Sequence, residues 1–241
     1  MLLCFGSFTM LPAVGVLMCD VDHRDKEFVS RGGVKLENAL RSCGLEVSGR
    51  RALDVGASTG GFTDCLLRRG AVGVVAVDVG YGQLDWGLRN DPRVTVLERT
   101  NARALMPEML PYTPDLATVD VSFISLEKVL PAVLGCMAGS YDVLAMVKPQ
   151  FEVGRVLASK GRGVVRNPDD RRAALVSVGR AALGLGASVL GYHYSGLPGP
   201  KGNRETFIWL AEERRVGGAR DGEDLEAMAR EIEPPEDEQG Q

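Results

Sequence analysis

From Arg51 onward, short apolar runs rich in β-branched residues alternate with longer amphipathic stretches. That alternation constrains the fold more than any other feature of the chain. The apolar runs are RALDVG (51–56), VGVVAVDV (72–79), VTVLER (94–99), LATVDVSF (116–123), YDVLAMVK (141–148), ASVLGYHYS (187–195) and TFIWLAEE (206–213). Near-continuous runs of this kind suit parallel strands covered on both faces, because a strand with one wet face alternates polar and apolar residues. Helical stretches near 61–69, 83–90, 125–138 and 168–184 lie between them. The clearest starts at Asn167, which can cap it. Pro168 takes the first helical position, Asp169 and Asp170 occupy the first turn, and glycines end it. The pattern predicts an α/β, Rossmann-like fold with a seven-stranded, mostly parallel sheet. The last two runs are joined by GLPGPKGNRE (196–205), which has no room for a crossover helix, so they are expected to form an antiparallel hairpin at the sheet edge. Upstream, SRGGVKLENALRSCGLEV (30–47) reads as a loop followed by a helix packed on the sheet.

Composition sets the borders. The 241 residues are 45% hydrophobic and 25% charged, as in an ordinary globular protein with one sizeable core. The net charge of −4 is unevenly spread: residues 217–241 hold two arginines and nine acids, a balance of −7, which leaves the rest of the chain at +3. A mildly basic body is compatible with a nucleic-acid partner, and an acidic end poor in aromatics reads as a disordered tail with at most a helical turn near EDLEAMAREIE. Residues 1–19 carry no charge and approach the length of a membrane span. They lack a basic leader and a clear cleavage site, and Gly6, Pro12 and Gly15 weaken a helix, so an extension packed on the body is expected rather than an anchor. The expected organisation is therefore an extension and linker (1–27), a catalytic domain (28–216) and a tail (217–241). The five cysteines are dispersed and only two histidines occur, His23 and His193, so no metal site is expected. An odd, scattered cysteine count fits the cytoplasm.

Three strand ends carry chemistry. The first leads into DVGASTGGFTD (54–64), where Gly56, Gly60 and Gly61 allow a tight turn and close backbone approach to a ligand. No lysine with Ser/Thr follows, which excludes a P-loop, and the pattern is not GxGxxG. Asp54 ahead of the turn repels a pyrophosphate and suits an amine or sulfonium. Asp78, at the end of the second strand, can accept the hydroxyls of a ribose. Together these point to S-adenosylmethionine. Asp120 ends the fourth strand and Lys148 the fifth, just before Pro149. Lys148 could simply snorkel to the surface. With Lys35 ahead of the first strand and Glu205 at the start of the last, however, two lysines and two carboxylates from distant segments can meet at one mouth. The chain has neither the Pro-Pro-aromatic motif of exocyclic-amine methylases nor the Pro-Cys pair of ring-carbon methylases, and Cys65 and Cys136 read as packing.

At this point SRGGVKL (30–36), DVGASTGGFTD (54–64), VDVSFISL (119–126), VKPQFE (147–152) and KGNRETF (201–207) resemble the TlyA family over about residues 28–213. These are ribosomal-RNA 2′-O-methyltransferases, also called hemolysin A, with an FtsJ-like, class I S-adenosylmethionine-dependent catalytic domain. The resemblance implies a catalytic tetrad of Lys35, Asp120, Lys148 and Glu205. It also implies a donor pocket formed by Asp54, Gly56, Ala57, Ser58, Thr59, Gly60, Gly61, Phe62, Asp78, Asn101 and Asp120. The family usually begins with a small RNA-binding domain, which the short stretch ahead of VSRGG implies is missing.

A ribose 2′-hydroxyl must lose its proton as it attacks the sulfonium methyl, and Lys148 is the candidate base. A free lysine titrates near ~10.4. Burial and a second ammonium, Lys35, would push it down, whereas Asp120 and Glu205 would oppose that and orient the groups. RNA contact is expected from the glycine-spaced basic run Arg155, Lys160, Arg162, Arg166, Arg171 and Arg172, together with Arg31. Such a run follows phosphates rather than reading bases. Ribosomal RNA or a ribosomal subunit is the expected partner. The competing readings are a catalytically silent donor- or RNA-binding protein, a small-molecule methyltransferase and a membrane-active hemolysin. Two lysines beside a basic loop favour a phosphodiester substrate, and no strand pattern suggests a barrel.

Overall fold

The structure, a computed structural model, describes residues 28–154, 161–219 and 221–233. The uncharged segment 1–19, Arg155 and Lys160 lie outside them. Seven strands form one sheet: β1 (Arg51–Val55), β2 (Gly73–Val77), β3 (Val94–Leu97), β4 (Leu116–Val119), β5 (Asp142–Val147), β6 (Ser188–Tyr194) and β7 (Thr206–Ala211). Their order is β3-β2-β1-β4-β5-β7-β6. The first five pair in parallel. β7 runs antiparallel to both β5 and β6. The expected edge hairpin is present, with its second strand inserted beside β5 and its first strand outermost.

Every residue of β2, β4 and β5 is buried, which is why those runs carry no polar alternation. One face packs on α1 (Arg31–Cys43) and α2 (Gly61–Arg68), with Leu36, Leu40, Leu66 and Phe207 at its centre. The other packs on α4 (Leu130–Gly135) and α6 (Pro168–Gly184), through Val133, Leu130, Val178 and Ile208. Each such side chain contributes about 1.5–3 kcal/mol of burial. Gly44, in the left-handed region at φ 66°, ends α1. Asn167 caps α6 by accepting from the Asp169 N–H at 2.8 Å.

Three expectations are corrected. Residues 125–138 do not form one helix: Pro131 cannot donate to a preceding turn, so a short 3₁₀ turn at Leu126–Lys128 precedes α4. The 83–90 stretch is helical only over α3 (Trp86–Arg89), capped by Asp85. The acidic end is not simply a tail. α7 (Gly222–Ile232) docks on α6 and β6, with Leu225 and Ala229 fully buried and Asp221 capping its start. Its apolar positions recur at helical spacing beneath a charged face, and composition averages that pattern away. A further short helix, α5 (Pro149–Glu152), follows β5 directly.

At the N-terminal end of the parallel strands, Asp142 is buried under Arg50 (3.1 Å), Arg215 (3.4 Å) and the indole N–H of Trp209 (3.0 Å). Asp115 receives Arg50 as well, at 2.9 Å. This knot pins β1, β4, β5 and β7 together below the sheet.

Candidate active site

The opposite, C-terminal end of the sheet opens into a cavity of about 700 Å³. Lys35, Asp120, Lys148 and Glu205 all line it. β4 and β5 are neighbours, so the residues just after them, Asp120 and Lys148, lie side by side. Lys148 Nζ sits 2.5 Å from Asp120 Oδ1 and donates to Ser122 Oγ at 3.0 Å. Val147 pairs with Thr206 across the antiparallel ladder, which brings Glu205 alongside. Lys35, in the second turn of α1, makes an ion pair with Glu205 Oε2. Both lysines are 8% exposed and Glu205 2%. The residue before a proline is held extended, and Lys148 has φ −109° and ψ 101°, so its backbone cannot join α5.

Close packing explains the glycines. Gly56 has φ +88°, and a Cβ there would lie 2.4 Å from the Asp120 carbonyl oxygen. The turn after β1 is thereby wedged against the end of β4. A Cβ on Gly61 would meet Ser30 Oγ at 2.2 Å, so the SRGG and GG motifs let the starts of α1 and α2 touch. Gly199 lies over Glu205, with 2.3 Å between a notional Cβ and Oε1.

Gly56, Ala57, Ser58 and Thr59 line the cavity, as do Gly61 and Phe62. Gly60 only supplies the turn, at φ +99°. Asp78 accepts from the Ser58 N–H at 2.8 Å and the Gly80 N–H at 2.7 Å, so it fixes the turn from the side. Asn101 is exposed and accepts from the Arg103 N–H, outside the cavity lining. Asp54 is also not on the cavity wall. It is fully buried behind the turn and accepts from Thr63 (2.7 Å) and Thr118 (3.0 Å). Burial pushes its pKa up to about 6, against the two threonine hydroxyls. A direct contact between Asp54 and a ligand is therefore corrected to support of the turn.

The basic residues divide. Arg31 lines the cavity and donates to the Pro198 carbonyl at 3.2 Å. Arg162 joins Arg103, Lys128 and Lys201 on an adjoining groove of about 920 Å³. Arg166 is exposed. Arg171 and Arg172 do not face that groove. Arg171 pairs with Glu233 at 2.8 Å, and Arg172 donates to the Glu233 carbonyl at 2.8 Å. Their helix turns that face toward α7. Sequence reasoning also missed Ser122, Arg103, Lys128 and Lys201. Only Ser122 had a local signal, two residues after Asp120 in the same strand-end motif.

The sequence model of the FtsJ-like methyltransferases matches residues 28–212. This chain belongs to the FtsJ-like methyltransferase family. It is 54% identical over 190 residues to the 16S/23S rRNA (cytidine-2′-O)-methyltransferase TlyA of Mycobacterium tuberculosis, covering 79% of this chain and 70% of that protein. A putative hemolysin from Lactococcus lactis superposes with a TM-score of 0.78 at 38% identity, over 85% of this chain and 98% of that one. Aeropyrum pernix fibrillarin, solved with S-adenosyl-L-methionine, shares the fold at a TM-score of 0.53 and 16% identity, over 74% of this chain and 76% of that one. The family is thus a methyltransferase family. Among the described residues no helix is long and apolar enough to cross a membrane, and no metal-binding cluster occurs.

Proposed function

We propose that the chain transfers a methyl group from S-adenosylmethionine to the 2′-hydroxyl of a ribose in ribosomal RNA, at a cytidine, in the cytoplasm. The observation that carries the reading is the Lys148 ammonium, held by Asp120 and Ser122 at the floor of the cavity with the Lys35–Glu205 pair beside it. Support for the donor comes from the chemistry of the turn. Its glycines let the chain close on a ligand, Asp78 braces it from outside the cavity lining through the Ser58 N–H, and no lysine or arginine stands within the 54–62 turn to clamp a pyrophosphate. Bound S-adenosylmethionine supplies an electrophilic methyl group on a sulfonium.

The protein's residues do the rest. Lys148 orients the ribose hydroxyl; once its ammonium has given a proton to solvent, the neutral amine takes the hydroxyl proton as the new O–C bond forms and the S–C bond breaks. Asp120 and Ser122 fix the direction of that amine. Lys35 and Glu205 hold the opposite wall, and Arg31 faces the same space. Positioning two reactants in this way is worth roughly 7–11 kcal/mol. Arg162, Arg103, Lys128 and Lys201 offer a groove of one sign for the phosphates beside the target.

The test incubates the protein with labelled S-adenosylmethionine and ribosomal subunits or free rRNA, with Lys148→Ala alongside. Alkali-resistant methylated dinucleotides from the wild type alone are expected. Label on a base, or no transfer despite donor binding, would overturn the reading.

A further inference from the structure

The α7 segment ends in a carboxylate that the family match, which stops at residue 212, does not reach. Glu233 is 1% exposed. Its Oε1 lies 2.8 Å from Arg204 Nε, and its Oε2 lies 2.8 Å from Arg171 Nη2 and 2.9 Å from Arg171 Nε. Arg204 also donates to the Ile232 carbonyl at 3.0 Å and lies over the Tyr194 ring at 4.2 Å. The residues on either side of Arg204, Asn203 and Glu205, both line the cavity. Asn203 donates to the Gly163 carbonyl at 2.7 Å and accepts from the Val165 N–H at 2.9 Å. Arg171 in turn donates to the Arg166 carbonyl. One buried carboxylate therefore closes a ring through Arg204, Asn203, the 163–166 backbone and Arg171, and Glu205 follows Arg204 directly in the chain.

We propose that Glu233 is a positioning residue for the reaction: by fixing Arg204 and Arg171 it sets the Glu205 carboxylate against Lys35 and holds the Gly163–Asn203 wall of the cavity. A neutral group at 233 leaves two guanidiniums without their shared counter-charge. Their rearrangement shifts the backbone that carries Glu205, and displacements of about 1 Å near reacting groups can cost up to about 10²-fold in rate. The proposal rests on the methyltransferase reading, and its test includes a measurement that does not need activity.

In the full chain, single-turnover methyl transfer, donor affinity and Tm are measured for Glu233→Gln, Arg204→Gln, the double variant and Arg180→Gln. Arg180 pairs with Glu226 at 3.0 Å across the same α6–α7 contact, with both side chains more than half exposed, so it reports on helix docking alone. Glu233→Gln and Arg204→Gln are each expected to slow transfer about tenfold or more. The double variant should be no slower than the slower single, donor affinity should hold, and Arg180→Gln should keep the wild-type rate. A wild-type rate in folded Glu233→Gln, or an equal loss in Arg180→Gln, overturns the proposal. If Glu233→Gln does not fold, Arg204→Gln carries the test. Independently, labelling of Lys35 by an amine reagent, read by mass spectrometry against Lys128, should rise severalfold in Glu233→Gln. Unchanged labelling overturns the proposal whatever the activity. A wild type that transfers no methyl group sinks the functional reading instead, and Lys35 labelling then decides this one.

Discussion

The two ends of the sheet each gather buried opposite charges, yet they are built from different cations. Below, Asp142 is held by Arg50 and Arg215 with the Trp209 indole. Above, Asp120 and Glu205 are held by Lys148 and Lys35. A guanidinium keeps its proton at any working pH and fixes partners in a planar fork, whereas an ammonium is a compact charge that can surrender a proton. The lower knot centres on one buried carboxylate, and the upper pairs border the 700 Å³ cavity. Arginines hold the buried carboxylate at the lower end, and lysines pair with the carboxylates at the end where the proposed reaction moves a proton.

That contrast can be broken first at Lys148. Lys148→Ala should lower methyl transfer by about 10²–10⁴-fold, and Lys148→Arg should be no better, because it keeps the charge and withholds the base. Rates with rRNA and Tm in parallel check this, and an active Lys148→Arg would dissolve the distinction between the two ends. The mirror experiment is Asp142→Ala. It takes away one of two carboxylates from each guanidinium, since Arg50 keeps Asp115 at 2.9 Å and Arg215 keeps Glu212 at 2.6 Å, and it orphans the Trp209 indole N–H. About 1–3 kcal/mol of stability should be lost, with Tm falling by roughly 5 °C. Transfer per folded molecule should stay unchanged.

A third experiment concerns Asp54, a buried carboxylate at the upper end with no cation beside it. Its pKa is raised from 3.8 to about 6 in the folded state. The folded form therefore binds more protons than the unfolded form between those values, and Asp54 makes stability fall as pH rises from about 4 to 6. Above pH 6 the accumulated cost is about 3 kcal/mol. Asp54→Asn should remove that decline, so denaturant titrations of the two proteins should diverge across the window and differ by a constant amount above it. Superimposable profiles would show that the charge is accommodated. The smallest effect is expected from Gly199→Ala. The added methyl presses on Glu205, slows transfer about tenfold and leaves donor affinity intact. Unchanged kinetics would mean that the Glu205 carboxylate can yield without consequence.

Much of this arrangement was legible in the chain. Seven apolar runs in a fixed alternation define the sheet, and the short 196–205 connection forces the hairpin. Three of the four expected site residues were legible because Asp120, Lys148 and Glu205 stand at strand ends facing the same side of such a sheet, whereas Lys35 comes from the second turn of α1. What escaped is what depends on which face a helix turns inward. Arg171 and Arg172 belong to a basic run in sequence, but α6 rolls them onto Glu233. Asp54 heads the glycine turn that lines the cavity, yet its side chain goes to Thr63 and Thr118. α7 was hidden because Leu225 and Ala229 are few among many charges, and their burial depends on a partner surface more than forty residues away along α6.

The insertion of β7 between β5 and β6 also bears on how the protein is made. Glu205 and the strand that seals the open edge of β5 emerge from synthesis together, after everything else in the sheet. A chain cut anywhere before that point lacks the ladder from Val147–Thr206 to Asp142–Ala211 as well as the carboxylate that meets Lys35. Completing the sheet and bringing Glu205 to Lys35 are thus a single event in the life of the polypeptide.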